Sequence, residues 1–179
     1  MTILQMLPAD LPASVGIVLH RSPTLRSDLS FLLSRRTTLP VHEPADGDAI
    51  RSGWVYIAPG DVHLIVDGRR WRLSRGAKVH FARPAVDPLF SSAAVQFKSR
   101  VVGILLSGGG ADGVNGLLDI KSMHGMSIAQ EPTEARFPSM PRHAIRDDHV
   151  DAIMRVADIA SAIPELAVGH AVAGASVAR

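Results

Sequence analysis

Val101-Val102-Gly103-Ile104-Leu105-Leu106-Ser107-Gly108-Gly109-Gly110-Ala111-Asp112-Gly113 decides how the rest of the chain is read. Residues 101–106 form a short run without polar alternation, the pattern of a strand covered on both faces. The glycines after it make a turn, and residues 113–124 read as a helix that ends at Gly125. Strand, turn and helix in this order are half of a βαβ unit, so a parallel sheet is expected.

The same alternation extends outward. Residues 126–129 are a further short strand and residues 156–163 a final helix. Upstream, residues 86–97 read as a helix and residues 15–19 as a buried β-branched strand. Residues 2–7 look like the last part of a helix, stopped by Pro8 and Pro12. Residues 24–35 read as another helix, with Leu25, Leu29, Leu32 and Leu33 on one side, Thr24 as N-cap and Asp28 in the first turns. Residues 40–76 differ. There 55–57 and 63–66 are short strands, Asp67-Gly68 is a hairpin signal and 71–73 return, an antiparallel insertion or sheet edge. The expected fold is α/β: a doubly wound, mostly parallel sheet with an antiparallel hairpin insertion. Residues 1–167 form one domain, and residues 168–179, mostly small and without a periodic face, are expected to be disordered.

The chain of 179 residues is 46% hydrophobic and 20% charged, ordinary for a globular protein with a sizeable core. It has no cysteine, which excludes disulfides, thiolate zinc sites and a cysteine nucleophile. Apolar runs are too short for a bilayer, and residues 1–7 lack the pattern of a secretory leader. A cytoplasmic location without membrane insertion is expected. The sequence pI is about 9.5, yet the formal net charge is only +2. With a single tyrosine and few lysines, little titrates between neutrality and pH 9, so the pI overstates the basicity. Arginines cluster only at Arg35-Arg36 and Arg69-Arg70-Arg72, with few aromatics beside them, so nucleic acid is not an expected partner.

His20 and Asp112 share an address, because each follows the carboxyl end of a strand, where the crevice of an open parallel sheet lies. A histidine and an aspartate there can serve as base and orienter of a nucleophilic triad. They can equally be a strand-end residue and the cap of the helix starting near Gly113. Ser107-Gly108-Gly109-Gly110 points amides at a ligand just before a helix, which suits an oxyanion hole or a phosphate, or is simply a flexible turn. Neither G-x-x-x-x-G-K-[ST] nor G-x-G-x-x-G occurs in frame. His42-Glu43, His63 and His80 lack metal-ligand spacing, and Asp46-Gly47-Asp48 reads as a turn, so neither metal nor cofactor is expected. No G-x-S-x-G elbow is present.

Collinear motifs then identify a relative. They are Ala45-Asp46-Gly47, Gly53-Trp54-Val55-Tyr56-Ile57-Ala58-Pro59-Gly60 with His63-Leu64, and Arg83-Pro84-Ala85-Val86-Asp87-Pro88-Leu89-Phe90-Ser91-Ser92-Ala93-Ala94. Gly103 to Gly113, Ile128-Ala129-Gln130-Glu131 and Met140-Pro141-Arg142-His143-Ala144-Ile145 complete them. Together they resemble the catalytic domain of chemotaxis protein-glutamate methylesterases, the CheB family, from about Leu4 to Leu166. The resemblance implies hydrolysis of glutamate methyl esters on the cytoplasmic domain of chemoreceptors, with deamidation of glutamines as a second activity. It implies a Ser-His-Asp triad in which His20 is the histidine and Asp112 the aspartate, and an oxyanion hole using the backbone amide of Gly109.

Some family features have no counterpart in residues 1–179. The strand and the Gly-x-Ser-Thr-Gly-Gly motif stand ahead of the helix that residues 2–7 resemble, so the nucleophile and the first strand are expected to be missing, as is the receiver domain. The family usually has Met, Ser and Gly where this chain has Gly109, Ala85 and Ser139, and Arg21-Ser22-Pro23 replaces a more apolar pattern. Ser14, Ser22 and Ser107 do not sit on a strand-to-helix elbow. Three readings follow: a methylesterase whose sequence starts too late, a diverged non-catalytic module that binds a receptor or another partner, or a phosphate-binding module built on the glycines.

Overall fold

The computed structural model of the protein describes residues 2–20, 29–147 and 150–170. Among them, two parallel three-stranded sheets and one antiparallel pair are sandwiched by helices. β1 (Val15–Ile17), β2 (Val41–His42) and β3 (Val55–Ile57) form the first sheet in the order β1-β3-β2. β4 (His63–Asp67) and β5 (Arg70–Ser74) form the hairpin, closed by Asp67 opposite Arg70. Its two loop residues are therefore Gly68 and Arg69, one position later than the Asp67-Gly68 signal, with Gly68 at φ 60°. β6 (Val102–Leu105), β7 (Met126–Gln130) and β8 (Ala152–Met154) form the second parallel sheet in sequence order.

Side-chain alternation sorts the helices into two layers. Val15 and Ile17 point down with Ile3 and Ile163, and Val102, Ile104 and Leu106 do the same in the second sheet. The lower layer is thus α1 (Thr2–Met6), α2 (Leu29–Ser34) and α6 (Val156–Ala167), with Ile3 and Ile163 packed under both sheets. Above lie α3 (Val86–Phe97), α4 (Val114–Ser122) and the hairpin; α5 (Ser139–Arg146) joins their core through Met140 and Ala144. Gly103 lets α4 sit directly on the sheet. A Cβ there would lie 2.6 Å from Ile120 Cδ1 and 2.8 Å from Leu117 Cδ2.

The expected α/β layering with parallel strands and one antiparallel hairpin is observed. Three elements were not legible. β2 is two residues long, below any periodic signal. α5 carries Pro141 inside its first turn, where proline is tolerated but reads as a breaker. β8 is a three-residue apolar stretch without flanking turn signals. The final helix also runs past Pro164 to Ala167, where an end was expected at 163. Gly169 and His170 close it by donating to the carbonyls of Leu166 and Glu165. Thr24, Leu25 and Asp28 of the second expected helix, and residues 171–179 of the expected tail, lie outside the described residues. No helix among the described residues is long and apolar enough to cross a membrane.

Candidate active site

The upper layer creates the site where two helix N-termini face each other. α3 starts after Ala85, which has no side-chain acceptor for the first free amides. Asp112 supplies one from across the sheet: Oδ2 accepts the Val86 N–H at 2.7 Å and Oδ1 the Asp87 N–H at 3.1 Å. Asp87 returns the favour, its Oδ1 accepting the Gly116 N–H in the first turn of α4 at 2.8 Å. The sequence allowed Asp112 to cap its own helix. It caps α3 instead, because Gly113 adopts φ 94° and turns the chain before α4 begins. Amides bonded to a charged acceptor stabilise by roughly 1.5–3 kcal/mol each, and the positive ends of both helices favour the ionised carboxylate.

This arrangement fixes Asp112 at 1% exposure and aims Oδ2 at His20, whose Nε2 lies 2.6 Å away. The histidine arrives from the carboxyl end of β1, three residues beyond Ile17. Its ring remains partly open to solvent. Burial alone would raise the Asp112 pKa, but the His20 bond and the amides of Val86 and Asp87 outweigh it and hold the carboxyl below its ordinary range. The Asp112 bond in turn raises His20 above the ordinary imidazole value, against a smaller opposing effect of burial. With Nε2–H committed to the carboxylate, the neutral ring leaves Nδ1 as an acceptor, and no described residue hydrogen-bonds it.

The glycine turn is clamped rather than flexible. Ser107 N–H donates to Gln130 Oε1 at 2.8 Å, and Ser107 Oγ accepts the Phe137 N–H at 2.9 Å. Gly108 exchanges backbone bonds with Phe137 and Met140. Gly109 and Gly110 donate to no described residue, and a Cβ on Gly109 would meet nothing within 4 Å. Two amides at this turn thus have no described acceptor just ahead of a helix, while a phosphate site would need a charge partner that the turn does not bring.

None of the described serines is hydrogen-bonded to His20. The Ser14 hydroxyl is buried without a partner at the amino end of β1, about 20 Å of extended chain from residue 20. Ser107 is held by Phe137, and Ser22 lies outside the described residues. Ser139 Oγ lies 3.4 Å from His143 Nδ1, but that nitrogen is taken by the Ser139 carbonyl at 2.8 Å, so it is no base for the hydroxyl.

Sequence reasoning missed Asp87, Gln130 and His80 as members of the site. Asp87 sat in plain view inside a quoted motif, and Gln130 is a polar residue ending an apolar strand; both signals were available. His80 Nε2 is 3.0 Å from Asp87 Oδ2, and ligand atoms of His80, Asp87 and Asp112 all lie within 4.8 Å of one another. The oxygens of this trio already accept three amides and two imidazoles, so internal donors account for them. His63 Nε2 bonds the Ala77 carbonyl and His42 Nε2 the Asp48 carboxylate, both structural. Ala45 and Asp48 close the expected turn, the Asp48 N–H donating to the Ala45 carbonyl and its carboxylate accepting the Ala45 N–H, while Asp46 accepts the Leu73 N–H of β5.

Comparison with known proteins identifies the family of the chain. Residues 1–163 match the family model described as CheB methylesterase. A protein-glutamate methylesterase/protein-glutamine glutaminase of Symbiobacterium thermophilum is 38% identical over 162 residues, covering 90% of this chain and 45% of that protein. A putative one of Leptospira interrogans is 32% identical over 160 residues, covering 89% of this chain and 83% of the relative. The chain therefore spans about half the length of the first relative and most of the second. The crystal structure of the Thermotoga maritima CheB methylesterase catalytic domain superposes with a TM-score of 0.86 at 31% identity, covering 92% of each chain.

Proposed function

The chain belongs to the CheB methylesterase family, and on that premise we propose that it hydrolyses glutamate methyl esters on cytoplasmic chemoreceptor domains, and deamidates glutamines there, with His20 as general base. The 2.6 Å bond between His20 and Asp112 carries this reading. A serine from outside the described residues attacks the ester carbonyl, and His20 Nδ1 takes its proton while Asp112 stabilises the imidazolium. The Gly109 N–H meets the developing oxyanion. Collapse returns the proton to the methoxide, methanol leaves, and water hydrolyses the acyl-serine by the same route.

A second reading rests on one observation, that no described serine reaches His20. The domain would then be a diverged, non-catalytic module that binds a receptor or another partner through the same crevice. Methanol release from methyl-labelled receptor fragment, by protein expressed from the complete gene, separates the two. Release is expected; tight binding with no release would establish the module and end the esterase reading.

A further inference from the structure

Residues 79–82 form a two-residue hairpin next to the dyad. Val79 and Ala82 exchange both backbone bonds, at 3.1 and 2.9 Å. Such a turn requires φ above zero at both central residues, which favours Asn-Gly. This chain places His80 at φ 47° and Phe81 at φ 62° there. Holding a bulky aromatic in the left-handed region is unfavourable, and packing of the Phe81 side chain offsets none of it, since Phe81 is 97% exposed. The unfavourable backbone thus sits at an exposed tip.

The turn is tied to the site through His80. His80 is bonded to Asp87, and its ligand atom lies within 4.8 Å of the carboxylate that holds His20. Arg83 braces the stem, donating to the carbonyls of Arg75 and Gly76 and to Asp61 Oδ1. The surroundings are basic. Arg75 and Arg83 are ion-paired with Asp61 at 3.3 and 2.7 Å, and Lys78 stands two positions before His80, so three cations accompany a single carboxylate here.

We propose that the His80-Phe81 turn is a docking tip for an acidic segment of the protein substrate, with the Phe81 ring as apolar anchor and Lys78 and Arg75 as its charge complement. This rests on the hydrolase reading of the site, and it names what that site grips. An aromatic ring has only two side-chain torsions to order and can bury a large area on binding, and the cations steer an acidic partner.

Phe81→Gly tests this cleanly, since glycine accepts the positive φ and the melting temperature should stay at or above that of the wild type. Titration of the chain with the methylated cytoplasmic fragment of a chemoreceptor should then show Kd raised tenfold or more. Lys78→Glu and added salt should weaken binding as well. Val95→Ala is the control: Val95 is exposed on α3, about 13 Å along the axis from the N-terminus of that helix, and its replacement should leave Kd alone. Equal Kd for Phe81→Gly and wild type would overturn the proposal, as would a wild-type chain that binds no fragment. Methanol release by wild-type protein expressed from the complete gene, followed in parallel, keeps the two claims apart. Release with Phe81-indifferent binding removes only the docking tip, and Phe81-dependent binding without release removes only the esterase.

Discussion

Replacing Asp112 by Asn exchanges one acceptor oxygen for a donor in a site that uses both oxygens. Oδ2 serves His20 and the Val86 amide, and Oδ1 serves the Asp87 amide. The better orientation of an asparagine keeps its oxygen at the Oδ2 position and turns its NH2 against the Asp87 N–H. One buried amide then loses its acceptor, which costs about 1–3 kcal/mol. The bonds that remain lose their charge assistance, roughly 1 kcal/mol more. A loss of about 2–4 kcal/mol lowers the melting temperature of a chain this size by roughly 4–16 °C. His20 also loses its main reason for a raised pKa, so its midpoint in an NMR titration should fall below that of the wild type. Calorimetry and the titration together are the assay. A melting temperature within about 1 °C of the wild type, or an unmoved His20 midpoint, would refute the capping and pairing described for this carboxylate.

Two further outcomes follow from the same geometry. His20, with its pKa raised in the fold, contributes stability that is fully present below its ordinary value of 6.5 and lost as pH rises through the folded value. Asp112, with its pKa lowered, contributes stability present above 3.8 and lost as pH falls through its folded value. Thermal scans against pH should therefore show this contribution greatest between those two ordinary values, and His20→Ala should flatten the alkaline limb. Gly113→Ala should be severe, because φ is 94° and the added Cβ would lie 2.6 Å from Leu105 Cδ1 and 2.8 Å from Val86 Cγ1. A loss of roughly 2–5 kcal/mol, read as a lower denaturant midpoint, is expected; an unchanged midpoint would mean that this turn is looser than described.

Much of the layering was legible because its signals are local. The unbroken apolar runs at 15–19 and 101–106 announced strands, and glycines marked the turn after the second; the first is shorter and more open than expected, an edge strand over Val15–Ile17 with no fully buried residue and Leu19 exposed. His20 and Asp112 were legible by address, each standing just past the end of such a strand. Their partners were not, because the contacts are set by tertiary packing. Asp112 points at α3 rather than the helix that follows it, since Gly113 redirects the chain. His80 reaches Asp87 only through a turn whose two central residues, His and Phe, are not those that such a turn advertises. α5 and β8 stayed hidden, the first behind its prolines and the second behind its brevity.

The central claim is that an imidazole, held by a buried carboxylate at the rim of a parallel sheet, moves the proton in ester hydrolysis. Its most direct measurement compares methanol release from methylated receptor by wild type and His20→Ala, each expressed from the complete gene. A fall in kcat of roughly a millionfold is expected, the loss seen when the base of a serine triad is removed. Equal rates for the two proteins would contradict it.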